Sequence, residues 1–416
     1  MKIKTLNIKR YQMLKDLKFS LPSTSDKYFS NMNLTILVGE NGTGKTSILK
    51  FISEIFFKTT EENWNLENYI TFDMGNDTYY KDKWSNEKTP SKIIVSTFSP
   101  YEQFKKFRSN KFSFIGASSS SKISRLFYSI VNQMSSSDFK KKAALQNLIS
   151  EVGYVNPPLL EIDTKIFTDN YIEEAGYNKK QILEKLRTHF FQNRVLIKGK
   201  ELLHITQLAN YDGGTSKWLK DLKTLKIFDN YRILNLWFPK DDDFIPITSF
   251  SSGELTLFYR FFLLIDVITD NSVVLIDEPE IHLHPKWIKK YTKLLRDVFS
   301  EFKTHIIIAT HSPLIASDLP KDCIMGLKFN ENNNAINYLI KEQTLGSNHR
   351  EILREVFKVE NYFGEFTMDI RDRIEKHIKD NNVEQALRYY DDLGDSELKF
   401  ELFLKLEELL DKQGEE

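Results

Sequence analysis

Apolar and polar positions alternate over residues 2–21, with Ile3, Leu6, Ile8, Leu17, Phe19 and Leu21 on the apolar side. This predicts two strands joined by a turn near Met13–Asp16. Ser23–Asn33 is polar and follows Pro22, as a loop would. Continuous apolar runs of strand length come next: Leu34–Val38, Lys92–Phe98 (ended by Pro100), Ser272–Asp277 and Thr304–Thr310. Ser47–Phe56 and the segment between the last two runs have helical spacing. Buried strands alternating with helices predict an α/β core with a largely parallel sheet. Tyr231–Phe238 and Phe244–Thr248 flank the polar stretch Pro239–Asp243 and read as a hairpin, its Asp-rich tip being ordinary turn chemistry.

From about Tyr101 to Asp229 the texture changes. Serines cluster at Ser118–Ser121 and Ser135–Ser137, helix-like stretches occupy Ile182–Phe191 and Lys217–Leu225, and no heptad repeat is sustained. Residues 99–229 are therefore expected to form a mostly helical lobe inserted into the α/β domain, whose two parts are residues 1–98 and 230–345. Beyond Gly346 the amphipathic stretches Met368–Lys379, Val383–Tyr390 and Glu397–Leu410 predict a C-terminal helical tail, residues 346–416.

Composition narrows the function classes. Lys plus Arg and Asp plus Glu both number 58, so no global basic field points to strong DNA binding by this chain alone. The basic clusters Lys105-Lys106-Phe107-Arg108 and Lys140–Lys142 read as solvated helix faces. The single cysteine, Cys323, excludes an internal disulfide framework and a Cys-rich zinc site, and fits a reducing compartment. The N-terminus lacks the apolar core of a signal peptide, and the longest apolar stretch, around Leu255–Ile268, is interrupted by Arg260 and Asp266. A cytoplasmic protein with no membrane partner is expected.

The strongest chemical signal is Gly39-Glu40-Asn41-Gly42-Thr43-Gly44-Lys45-Thr46, which fits G-x-x-x-x-G-K-[ST] between a predicted strand and a predicted helix. The glycines let backbone N–H groups turn inward, and the helix dipole favours an anion at its first turn. Gly39, Asn41, Gly42, Gly44, Lys45 and Thr46 are the expected nucleotide-binding residues, with Lys45 on the β- and γ-phosphates and the Thr46 hydroxyl on Mg²⁺. The cofactors implied are ATP and Mg²⁺.

Later motifs complete the chemistry. Ser251-Ser252-Gly253-Glu254 has capping-box spacing ahead of a strongly apolar helix, so a helix N-terminus with free N–H groups is expected there. About 20 residues on, Val273–Ile276 ends in Asp277 and Glu278. Adjacent carboxylates at a strand end point to different sides. Asp277 is expected to hold Mg²⁺, and Glu278 to accept or orient the proton of the attacking water. His311, at the end of the next apolar run, is placed to touch the γ-phosphate or that water. His282 and His284 lack a third convergent ligand and read as loop or interface residues.

The P-loop, the Ser-Ser-Gly-Glu signature, Leu275-Ile-Asp-Glu-Pro-Glu280, Leu283-His-Pro285 and Thr310-His-Ser-Pro313, in this order, resemble the ABC-type ATPases of the SMC/RecF/OLD group. The resemblance covers roughly residues 1–98 and 230–345. It implies a P-loop ABC-ATPase head split by an insert. It further implies a head-to-tail ATP-sandwich dimer, or a higher oligomer, in which Ser251 and Gly253 of one copy complete the site of another. Phe250 and Ser252 stand where transporters carry leucine and glycine, which argues against a transporter subunit. Gln103 and Gln133 are the candidates for the Q-loop glutamine.

The insert carries neither heptads nor a C-x-x-C apex, unlike a long coiled coil or zinc hook. Asp391–Asp395, the nearest acidic cluster to a nuclease motif, lies between predicted helices, and the tail from Asp391 holds ten acidic residues and three lysines. A compact head of this kind is similar to the ATPase subunits of bacterial antiphage systems. It most resembles the Septu family PtuA, also found with some retrons, with the PARIS family AriA related. That resemblance implies an oligomer controlling a separate nuclease effector of HNH or TOPRIM type, with DNA reached through the complex. A RecF-like DNA-repair ATPase and a self-contained OLD-like nuclease are the alternatives.

Overall fold

The computed structural model describes the chain except for residues 23–25, 58–64, 66, 83–87, 100–103, 117–122, 135–137, 156, 228–232, 360–362 and 415–416, and the side chains of 26, 123–126, 128 and 411–414. Gln103 and the two serine clusters fall wholly or largely outside the described residues. The chain divides into two compact units, Met1–Phe357 and Lys358–Glu416.

In the first unit, β1 (Lys2–Tyr11) and β2 (Leu14–Ser20) pair antiparallel with Tyr11 opposite Leu14. The turn is therefore Gln12–Met13, tighter than the sequence pattern implied, because buried Leu14 already belongs to the second strand. Gln12 takes a left-handed backbone, φ 50°. A short helix, α1 (Asp26–Phe29), occupies part of the segment expected to be loop. It is followed by β3 (Asn33–Gly39) and α2 (Lys45–Ile55). The hairpin β4 (Tyr69–Met74) and β5 (Asp77–Lys81) lies against β1 and completes an antiparallel sheet of order β2-β1-β4-β5. Then come β6 (Ile93–Thr97) and β7 (Phe112–Ile115).

The inserted segment holds α3 (Ile123–Met134), α4 (Phe139–Val152), β8 (Leu159–Ile162), α5 (Asp169–Glu173), α6 (Tyr177–Asn193), β9 (Arg194–Ile197), β10 (Lys200–His204) and α7 (Gly214–Thr224). Helices predominate, as the texture implied. However, β8, β9 and β10 join the hairpin β11 (Ile233–Lys240) and β12 (Asp243–Pro246) in a second antiparallel sheet, β12-β11-β8-β10-β9. This sheet spans the expected boundary at residues 229 and 230. Its strands are four to eight residues long, too short to announce themselves by alternation.

The remaining elements of this unit are α8 (Ser252–Val267), β13 (Val273–Asp277), α9 (Pro285–Phe299), β14 (His305–Ala309), α10 (Pro313–Ala316), β15 (Ile324–Phe329), β16 (Ala335–Leu339) and α11 (His349–Glu355). The central sheet has the order β16-β15-β3-β14-β13-β6-β7. All of its pairings are parallel except that of the edge strand β16. Every residue of β6, β13 and β14 is buried, as a sheet covered on both faces requires. One core joins Ile48, Leu49, Phe51, Ile52 and Ile55 of α2 to Leu37, Val95, Leu275 and Ile307 of the central sheet and to Ile3, Leu6, Ile8 and Leu17 of the first antiparallel sheet. The helix after the P-loop is thus buried almost all round, which fixes its N-terminus against the strand ends.

The unit's end also differs from expectation. Residues 346–357 belong to the first unit rather than to a tail starting at 346. Ile352 of α11 is buried, and Tyr338 of β16 donates its hydroxyl hydrogen to the Val356 carbonyl. Among the described residues the second unit has three helices, α12 (Glu365–Lys379), α13 (Val383–Tyr390) and α14 (Glu397–Gly414), around Ile374, Ala386, Leu398, Leu402 and Leu406.

His305 opens β14 fully buried. Its Nδ1 accepts from the Ile3 N–H at 3.0 Å, and its Nε2 meets the Thr35 hydroxyl at 2.9 Å. Burial, helped by the nearby terminal ammonium and Lys2, pushes its pKa down to about 3. The native imidazole stays neutral while the unfolded one protonates below about 6.5. Its contribution is therefore complete above that pH and is lost as pH falls towards 3, by up to about 1.4 kcal/mol per pH unit. Urea unfolding between pH 7 and 4 should show the stability gap between wild type and His305→Asn narrowing with that slope. A gap constant with pH would refute the assignment.

Candidate nucleotide-binding site

The phosphate loop leaves the C-terminal end of β3. Gly39 has φ 149°, and a Cβ there would lie 2.2 Å from the Leu327 carbonyl oxygen of β15, so no side chain fits. Gly44, at φ 93°, caps α2 with no side-chain hydrogen bond, which leaves the first-turn N–H groups directed at whatever the loop holds. Asn41 and Gly42 are exposed at the tip. The Thr43 hydroxyl donates to the Glu40 carbonyl at 2.8 Å. Lys45 Nζ donates to the Gly39 and Glu40 carbonyls, both at 2.9 Å. Burial pulls its pKa down to about 8, against the pull of Glu278, Asp277, Glu280 and Glu40, so it is mainly cationic at neutral pH.

Thr46 and Asp277, far apart in the chain, meet at the sheet's edge: Thr46 Oγ1 donates to Asp277 Oδ1 at 2.9 Å. Burial raises the Asp277 carboxyl to about 6, and neighbouring Glu278 and Glu280 push the same way against Thr46 and Lys50. A hydroxyl and a carboxylate, both hard oxygen donors, fit a hard cation that keeps several waters, the Mg²⁺ pattern. Among the described residues no group of three or more His, Cys, Asp or Glu converges on a metal position. His284 instead accepts from the Lys286 N–H at 3.2 Å and caps α9.

The second carboxylate lies just past the strand, so a turn rather than strand alternation sets its direction. Glu278 takes a left-handed backbone, φ 49°, and its N–H extends the ladder to the Ala309 carbonyl at 2.9 Å. Its side chain is partly exposed and stands 3.8 Å from Nε2 of His311, beyond hydrogen-bond reach. Burial, with Lys45 nearby, pushes the His311 pKa down to about 4, opposed by the Gly39 carbonyl. The imidazole is neutral at pH 7, so this contact is not an ion pair.

Sequence reasoning missed three neighbours. Glu280 accepts from the Thr310 hydroxyl at 2.9 Å and the His311 N–H at 2.7 Å. Arg260 of α8 donates to the Pro279 and Ile281 carbonyls at 2.7 and 2.6 Å. Gln12 accepts from the Ser47 hydroxyl at 3.0 Å. Arg260 had one signal, a lone cation in the most apolar helix, and Glu280 another, a third acid beside the first two. A cleft of about 370 Å³ opens between the Gln12 turn and the ends of β6 and β13, with Thr46, Lys50, Thr97, Asp277 and Glu278 in its walls. A larger cavity of about 650 Å³, against α6, has a polar lining that includes no residue of the phosphate loop.

Ser251 and Gly253 do not line the 370 Å³ cleft. Ser251 is exposed at the N-cap of α8 in a complete capping box: its N–H and hydroxyl donate to Glu254 Oε2 at 2.8 and 2.7 Å, and it accepts from the Glu254 N–H at 3.3 Å. Gly253 packs on Trp287 so closely that a Cβ would stand 3.0 Å from the indole. Gln133 is buried in α3 and donates to Asp266 at 3.1 Å, which leaves it serving the lobe rather than the phosphates.

Two segments of the chain match known domain families. Residues 1–69 match "AAA domain", and residues 221–318 match "AAA domain, putative AbiEii toxin, Type IV TA system". The chain is similar to Protein ea59 of Escherichia phage lambda, 37% identical over 26% of this chain and 21% of that one. It is also similar to the Retron Vc95 probable ATPase of Vibrio cholerae, 26% identical over 47% of this chain and 35% of that one. The Retron Ec83 probable ATPase of Escherichia coli is 26% identical over 39% of this chain and 29% of that one. These alignments thus span between about a fifth and a third of each relative's length. Among solved structures, the SMC head domain from Thermotoga maritima aligns with 82% of this chain and all of that one, at 12% identity and a TM-score of 0.41. Scores that low leave the fold assignment resting on the strand order and the P-loop itself. The AAA-domain matches fall on the two ends of the P-loop unit, and the inserted lobe up to residue 220 lies outside both.

Proposed function

We propose that this chain is a Mg²⁺-dependent ATPase of the ABC-head type that pairs with further copies of itself and controls a separate nuclease in antiphage defence. The observation that supports the hydrolytic part is the 2.9 Å contact of Thr46 with Asp277 beside the glycine loop, with Glu278 and His311 next in line. Gly39, Asn41, Gly42 and Gly44 shape the cradle, and Lys45 exchanges its loop carbonyls for phosphate oxygens. Thr46 and Asp277 would hold Mg²⁺, which when bound would neutralise phosphate charge. Glu278, partly exposed, orients water and accepts its proton, and neutral His311 offers a hydrogen bond on the same side.

Pairing follows from what the single chain leaves apart. A helix N-terminus with exposed Ser251 and with Gly253 beside it is suited to an anion, and neither residue lines the cleft beside its own phosphate loop. Ser251 and Gly253 of one copy then complete the site of another, giving a head-to-tail dimer or a higher oligomer. The likeness to retron ATPases supports a defence role, with a PtuA-like or AriA-like subunit as the finer reading. The effector is placed on another chain, of HNH or TOPRIM type. Asp391, Asp392 and Asp395 lie between the helices α13 and α14, where no strand carries them.

Direct contact with DNA, the RecF-like reading, has one observation in its favour. The neutral total hides a lobe, residues 99–229, with 21 Lys and Arg against 13 Asp and Glu, and a second unit, residues 358–416, with 9 against 17. Salt-dependent DNA binding that weakens when lobe lysines are replaced would support it.

Lys45→Ala should weaken ATP binding by about 100-fold or more, read by fluorescence of a nucleotide analogue. Glu278→Gln should bind ATP normally, hydrolyse it about 100-fold or more slowly and accumulate as closed dimers in size-exclusion chromatography with light scattering. Wild-type turnover by Glu278→Gln would remove Glu278 from its role.

The metal gives a separate test. Mg²⁺ needs ionised Asp277, whose native pKa is raised to about 6. Mn²⁺ affinity, followed by electron paramagnetic resonance, should therefore be level above pH 7 and fall about tenfold per unit below pH 6. Asp277→Asn should bind weakly at every pH. Equal affinity for wild type and variant would place the cation elsewhere.

A further inference from the structure

Two charged side chains are buried beside the catalytic carboxylates and remain unexplained by phosphate binding. Glu280 lies just past β13. One oxygen, Oε1, accepts from the Thr310 hydroxyl and the His311 N–H, while Oε2 is buried with no hydrogen-bond partner. Burial holds this carboxyl above the usual range, opposed by those same donors. Arg260 lies within α8, its guanidinium bridging the carbonyls on either side of Glu280, Pro279 and Ile281, and stacked on Phe98 at 4.2 Å. Its Nε is likewise buried without a partner. Burying two charged groups in this way contributes little net stability compared with apolar packing. Their burial calls for a reason in placement.

That reason is the backbone of His311. β14 ends at Ala309, and the Thr310 N–H still reaches the Leu37 carbonyl at 3.1 Å. The next N–H, that of His311, is held by Glu280 alone among the described residues. We propose that Glu280 is a positioning residue that fixes His311 opposite Glu278, and that Arg260 fixes the Glu278–Ile281 segment from α8. A displacement at the N-terminus of α8, where Ser251 is exposed, then reaches the catalytic carboxylate through one guanidinium. This deepens the ATP-hydrolysis reading and rests on it.

Steady-state hydrolysis and nucleotide binding are measured for Glu280→Gln, Glu280→Ala and Arg260→Met. Glu280→Gln keeps a carbonyl oxygen for both donors and should retain kcat within about fivefold. Glu280→Ala should lower kcat about 30-fold or more with KM within about threefold, the signature of misplacement rather than lost binding. Arg260→Met should lower kcat about tenfold with KM unchanged. A second readout needs no turnover. In nucleotide-free protein the His311 C2–H resonance should titrate in Glu280→Ala at a different pH from wild type. Should Glu280→Ala not fold, Thr310→Val removes one donor without opening a cavity and should lower kcat about fivefold.

Wild-type kcat in Glu280→Ala with an unmoved His311 resonance overturns the proposal. So does a Gln variant as inactive as the Ala variant, which would make the carboxylate a proton carrier. A wild-type chain that hydrolyses no ATP defeats the ATPase reading instead, and the His311 titration still tests the positioning.

Discussion

Thr46 and Asp277 meet at 2.9 Å although 231 positions separate them. Their meeting depends on the register of three parallel strands. Ala309 of β14 stands opposite Leu37 of β3 on one side and Asp277 of β13 on the other. With those residues level, Gly39 through Lys45, the Asp277–Glu278 pair and His311 all leave the sheet at one edge. A slip of one residue in β13 would carry Asp277 to the opposite face, and a slip in β3 or β14 would bring the loop level with the wrong residues. The register of β14 on β3 is pinned where fully buried His305 bonds the Ile3 N–H and the Thr35 hydroxyl.

The same register forces charges together where water is scarce. Lys45 is less basic and Asp277 less acidic than usual, each chiefly through burial. Asp277 offsets the effect of burial on Lys45 only in part, and Glu278 and Glu280 add negative charge near Asp277. A site of this kind holds ionic groups at a cost that tight core packing elsewhere must offset. Here that packing is α2, buried between the central sheet and the β2-β1-β4-β5 sheet. The helix that carries Lys45 and Thr46 is thus also part of an extensive apolar cluster, whose packing opposes any relaxation of strain at the loop by tilting of the helix.

Much of this was legible from residue spacing. The P-loop and the apolar runs that became β3, β6, β13 and β14 follow from local rules of period and length. What escaped was set by tertiary partners. The strands β4 and β5 carry Asp73, Asp77 and Lys81, and acquire their pairing only because β1 offers an open edge. β8, β9 and β10 are too short for alternation to show, and their sheet draws β11 and β12 from beyond the expected lobe. The end of the first unit, placed twelve residues late by the structure relative to the helical pattern, depends on Tyr338 reaching Val356. Glu280 looked like one more acid in an acidic motif, and its separate task appears only when Thr310 and His311 are seen to bond to it.

The start of α8 is tied to the carboxylate segment through a chain of short contacts. Glu254 satisfies Ser251 within the same turn, and Gly253 is pressed onto Trp287 at the start of α9. Trp287 in turn donates its N–H to the His284 carbonyl, at the far end of the segment that begins with Glu278. Arg260 grips that segment in its middle. The N-termini of α8 and α9 and the carboxylate segment are therefore one connected piece, joined by short bonds rather than by loop reach. In the proposed pair, a phosphate from another copy pressing on Ser251 and Gly253 would move that piece as a unit. Hydrolysis would then depend on pairing because the groups that bind the partner and the groups that orient water share a backbone.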